Sequence, residues 1–167
     1  MQTDTVLSAE ELAALWRQLG DDESLTEPYE LTEHGQIVMS PRPTNRHQLI
    51  AAEVAFQLRS QLGGKAATEA AVLTTHGVRV PDVVWMPDER WDVGQTLIVA
   101  PELVVEVLSP GNRKTEVQHK VDAYLEAGVR EVLVVGVKGT LDFHRTGGVH
   151  RASAFALSLL LAPHLFE

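Results

Sequence analysis

Two hydrophobic periods alternate along the chain, and each change of period marks an element. Leu12, Leu15, Trp16 and Leu19 recur at i, i+3, i+4 and i+7, with Ser8 three residues before Glu11 in capping-box spacing, so a helix is predicted there. Gly20 and the acids Asp21, Asp22 and Glu23 end it. Strand-forming residues at 29–32 and 36–39 flank Glu33-His34-Gly35 and predict a β-hairpin. Pro41 and Pro43 interrupt the backbone; over 45–62 the pattern is helical again, with Ile50, Val54, Leu58 and Leu62 spaced by four and Gly63-Gly64 as the stop.

The second half is richer in strands, predicted over 66–74, 77–80, 83–86, 103–108, 131–137 and 141–145. One helix over 114–127 lies between the fourth and fifth of these, with Val117, Val121, Tyr124 and Leu125 on one face and Gly128 as its cap. Strand, helix and strand within so short a span form a βαβ unit, which joins parallel neighbours by a right-handed crossover. The fold class is therefore α/β: a mixed central sheet flanked by helices, in a single domain over 1–167 whose first 27 residues are an N-terminal helix and its connection. Residues 152–166 are too uniformly apolar to be assigned helix or strand.

Composition narrows the picture. At 167 residues one core suffices, and with 44% hydrophobic but 5% aromatic residues that core is aliphatic. The absence of cysteine excludes disulfides, thiolate metal sites and a cysteine nucleophile. No apolar stretch approaches the ~18 residues of a membrane span, and the start lacks the basic and apolar regions of a secretory signal. A soluble, cytoplasmic protein with no membrane partner is expected. The net charge of −9 argues against attachment to nucleic acid through a general positive field.

Against this background a few residues stand out. Leu103 to Leu108 is apolar on both faces, as in a covered central strand, yet Glu106 interrupts it. A buried carboxylate must be paired, hydrogen-bonded or metal-bound; the alternative is an exposed face shared with Glu102, which has the same parity. Asp82 follows Pro81 at the start of a strand, and two carboxylates on neighbouring strands can converge on one divalent cation. Lys120 borders the apolar stripe of its helix, placed either to stabilise charge at a reacting phosphorus or to snorkel into solvent. Arg113 and Lys114 open the same helix just beyond Glu106, at the mouth of a nucleic-acid groove or in an ordinary turn. The seven histidines form no HExxH, and Gly63-Gly64-Lys65 is not a P-loop.

Taken in order, Tyr29-Glu30-Leu31, Gly35, Ser40-Pro41, Arg46-His47, Pro81-Asp82, Leu103 to Pro110, Lys120 and Tyr124 to Val129 resemble the Uma-type putative restriction endonuclease family of the PD-(D/E)XK nuclease superfamily. The match covers about 28–145, the expected core. The resemblance implies a restriction endonuclease-like fold and a metal-dependent DNA endonuclease. Asp82, Glu106 and the Val107 carbonyl would hold magnesium, with manganese as a possible substitute. Lys120 would act on the attacking water or the transition state, standing in for the lysine that the superfamily carries at the position of Leu108. Glu30 would be an outer acid of the site, and His47 a contact to phosphate or water. Arg42, Arg46, Arg113 and Lys114 would line the groove, and cutting both strands of a duplex implies a homodimer. Gln36 and Gly136-Val137-Lys138 depart from the acid and the Asp-Pro that relatives carry. Two rivals stand beside this reading: an inactive nuclease fold serving as a binding or assembly module, which those departures and the acidic surface favour, and a metal-dependent hydrolase of small phosphorylated substrates.

Overall fold

A computed structural model describes residues 5–167; residues 1–4 of the expected N-terminal segment lie outside the described residues. In chain order the elements are α1 (Ala9–Gly20), β1 (Tyr29–Leu31), β2 (Ile37–Met39), α2 (Asn45–Leu62), β3 (Lys65–Thr68), β4 (Val72–Thr74) and β5 (Gly77–Arg79). They continue with β6 (Val83–Met86), β7 (Ile98–Val99), β8 (Leu103–Val107), α3 (Lys114–Glu126), β9 (Glu131–Val135), β10 (Leu141–Arg145) and β11 (Gly148–His150). The α/β class holds, but the expected single sheet is two: a five-stranded sheet β2-β1-β5-β4-β7 and a six-stranded sheet β11-β10-β9-β8-β6-β3.

The division falls inside the segment expected as one strand over 66–74. Glu69 takes φ +55°, a left-handed conformation that breaks an extended run, so β3 pairs with β6 while β4 pairs with β5. Apolar alternation alone does not reveal such a break, because Ala70 and Ala71 keep the run apolar. The βαβ expectation holds: β8 runs parallel to β9 across α3, with Glu106 opposite Val134.

Strand parity then distributes the core. Leu103, Val105 and Val107 face α2 and the C-terminal segment, while Val104, Val132 and Val134 face α3 with Val121 and Tyr124. Glu106 shares the parity of Val104 and is thereby directed to α3. A third cluster joins Leu12 of α1 to Leu31 and Val78 of the smaller sheet, and Ser8 caps α1 in the capping box that its spacing predicts. No helix among the described residues is long and apolar enough to cross a membrane.

The C-terminal stretch forms little regular structure and is held to the body by side chains. Gln57 donates to the Leu160 carbonyl at 2.6 Å and accepts from the Leu160 N–H at 3.0 Å; Gln61 does the same with Ser158, at 2.9 and 2.8 Å. Nearer the sheet, the fully buried Glu131 carboxylate accepts from Arg145 at 2.7 Å, from the Ala154 N–H at 2.7 Å and from the Ser153 hydroxyl.

Candidate functional site

Pro81 has no N–H to offer a ladder, so the chain passes from β5 to β6 without pairing there, and Asp82 sits at the entrance to β6. Its own N–H donates to the Val105 carbonyl at 3.0 Å, and its Oδ2 accepts from the Val107 N–H at 2.6 Å. Asp82 thus continues with its side chain the pairing that β6 makes with β8 through Val83 and Val105. The N–H and C=O of one residue leave an extended strand on the same edge, so the Val107 carbonyl is directed to the Asp82 side as well. The other Asp82 oxygen, Oδ1, lies 3.2 Å from His47 Nε2. His47 is carried there by the first turn of α2, where its N–H is capped by Thr44 Oγ1 at 3.2 Å. The hydrogen bond to Asp82 raises the His47 pKa above its ordinary value, against the opposing effect of burial.

Glu106 is buried at 8% exposure, so the exposed-face alternative does not hold. Its Oε1 accepts from the Tyr124 hydroxyl at 2.8 Å and lies 3.9 Å from Lys120 Nζ. No hydrogen bond reaches Oε2 among the described residues. Burial, with the neighbouring Asp82 and Glu30 charges, raises the Glu106 pKa to about 7, while Lys120 and Tyr124 pull it down. Lys120 is in turn raised, chiefly by the Glu106 charge, so it stays a cation. Burial also lifts Tyr124 well above its ordinary range and keeps its hydroxyl a donor.

Glu30, the expected outer acid, is 5% exposed in the middle of β1. Oε1 accepts from the Val80 N–H at 2.9 Å and lies 3.5 Å from Lys120 Nζ, and Oε2 lies 3.5 Å from Arg79 Nη1. Glu30, Lys120 and Glu106 are linked in one group and Asp82 and His47 in another, and both groups line a single cleft of about 610 Å³.

The expected basic rim is only partly at this cleft. Arg42 lines it, whereas Arg46 turns away to the Glu167 carbonyl, and Arg113 and Lys114 are exposed at the start of α3 without lining it. Two residues that sequence reasoning passed over do reach the site. Tyr124 reads as core, but a buried hydroxyl needs a partner, and Tyr124 lies one helical turn from Lys120 on the same face. Arg79 carried no signal in the sequence.

Among the described residues no three His, Asp or Glu side chains are arranged as a ready-made metal cage. The donors nevertheless suit a hard divalent cation: two oxygen ligands from Asp82 and Glu106, a carbonyl on the same edge, and open space for the water that magnesium retains.

The chain matches the family model Uma2, described as "putative restriction endonuclease", over residues 15–166. Its fold is similar to the crystal structure of a putative nuclease belonging to DUF820 from Anabaena variabilis, with a TM-score of 0.68 at 21% identity, covering 95% of this chain and 90% of that one. No curated protein matches the sequence.

Proposed function

Since the chain belongs to the Uma2 family of putative restriction endonucleases, we propose that it is a cytoplasmic, magnesium-dependent DNA endonuclease, able to use manganese as a substitute. The observation that carries this reading is the meeting of Asp82 before β6, Glu106 on β8 and Lys120 on α3 in a single cleft. In this reading Asp82, Glu106 and the Val107 carbonyl hold the ion. The bound ion supplies positive charge against the phosphoryl oxygens and eases deprotonation of the attacking water.

The protein groups do the rest. Tyr124 fixes the rotamer of Glu106 and shares its charge. Glu30 holds the Lys120 amine beside Glu106, where it orients the attacking water or offsets charge developing on the phosphoryl group. His47 fixes Asp82 and faces the same cleft, within reach of a phosphate or a water. Arg113 and Lys114 contact flanking phosphates, as does Arg46 after exchanging its bond to the Glu167 carbonyl. Two copies acting together would cut both strands of a duplex.

The test is cleavage of single-stranded, duplex and branched DNA with magnesium or manganese, comparing wild type with Glu106→Ala and Asp82→Asn. Divalent-dependent cutting should fall by at least about a hundredfold in each variant, the scale on which one charge-stabilising group acts, with both variants folded. Equal activity in the variants, or no binding of either ion by calorimetry, would sink the reading.

A further inference from the structure

The same cleft holds a cation that the scheme above leaves without work. Arg79 is 9% exposed and lines the cleft, yet its Nε is buried with no hydrogen-bond partner. Its one side-chain bond among the described residues is the 3.5 Å contact from Nη1 to Glu30 Oε2, at the outer limit for a hydrogen bond. A guanidinium cannot shed its charge, and here Nε is buried unanswered, Nη1 has one long bond, and Nη2 makes no hydrogen bond among the described residues and is left accessible.

Glu30 does not make up the difference. Its Oε1 is turned to Lys120 and the Val80 N–H, so one carboxylate answers two cations. An anion that enters the cleft would meet the accessible Nη2 of this lining residue. A planar fork suits oxygens paired on one phosphorus, and Arg79 lies three positions before Asp82 on the same cleft wall.

We infer that Arg79 is the phosphate-gripping residue of the site, its guanidinium binding the non-bridging oxygens of the phosphodiester that Asp82 and Glu106 act on. This rests on the reading of the cleft as a phosphodiester site and adds the residue that recognises the substrate anion. Glu30 is then a positioning residue for two cations, Arg79 on one oxygen and Lys120 on the other.

The probe is inorganic phosphate, titrated by calorimetry into the full chain without metal, followed by kcat and KM for DNA. Arg79→Gln can still donate to Glu30; it should weaken phosphate binding by about tenfold to a hundredfold, the range of charge-assisted hydrogen bonds, and raise KM. Arg79→Lys, which keeps the charge opposite Glu30 but loses the fork, should fall between Gln and wild type and decides the matter if the Gln variant does not fold. Wild-type affinity in the variants, or no phosphate binding by wild type across the millimolar range, overturns the inference. Phosphate held through Arg79 without any DNA cleavage would leave the anion seat standing and remove the nuclease reading. Cleavage with kcat and KM unchanged in Arg79→Gln would do the reverse.

Discussion

The hydroxyl of Tyr124 donates to Oε1 of Glu106 at 2.8 Å, joining a helix residue to a buried strand carboxylate in the βαβ unit. That bond lowers the pKa of Glu106, so Tyr124→Phe should push it higher and leave less carboxylate at neutral pH. Magnesium affinity is expected to drop about fivefold to tenfold near pH 7, the worth of one hydrogen bond, and to recover toward wild type in more alkaline buffer. Calorimetry at two pH values checks this, and a deficit independent of pH would contradict it.

Glu106 also makes stability depend on pH. Because burial raises its pKa from 4.5 to about 7, the folded state binds this proton more tightly than the unfolded chain does. The stabilisation is complete below 4.5 and is lost as pH rises through about 7. Its size is on the order of 3 kcal/mol. Glu106→Gln removes the titration, so in metal-free protein its thermal midpoint should gain on wild type as pH climbs through this window. A constant difference between the two would refute the account.

On the far side of the sheet, Glu131 is fully buried and its partners are Arg145, Ser153 and the Ala154 N–H. Glu131→Ala leaves these donors unanswered and should cost about 3 to 5 kcal/mol, as breaking a buried pair does. Urea unfolding measures the loss. Limited proteolysis should find the segment after β11 newly accessible, and protection equal to wild type would count against its pinning role.

Gly77 takes φ +101°, and a Cβ there would sit 1.9 Å from the Leu31 carbonyl oxygen. Gly77→Ala should therefore destabilise by at least about 2 kcal/mol through clash and backbone strain together. The disturbed contact lies on β1 beside Glu30, so the thermal midpoint and DNA cleavage should both fall. A neutral substitution would show that β1 can move away freely.

Much of the fold was legible because its signals are local. The Ser8 box, the Gly63 stop and the apolar alternation of 103–108 each act within a few residues, and α1, α2 and β8 follow them closely. The boundary between the two sheets was not legible: it depends on the backbone turning at Glu69, and a positive φ at a glutamate has no compositional mark. At the site, Asp82 and Glu106 were visible as acids set into apolar strands. Lys120 was visible only beside them. Arg79 and Tyr124 act on partners 49 and 18 positions away, separations at which strand parity and helix phase say nothing about who meets whom.

The reciprocal bonds of Gln57 and Gln61 to the C-terminal segment fall wholly on its main chain, at Ser158 and Leu160. Evolution can therefore rewrite the side chains at these two positions almost freely, and the 81% exposed Leu160 side chain is already a bystander. Proline is the exception, because it would remove the N–H that each glutamine accepts. What is inherited at these two positions is a spacing of amide groups, while Leu159 between them is held to its apolar character by the core it enters.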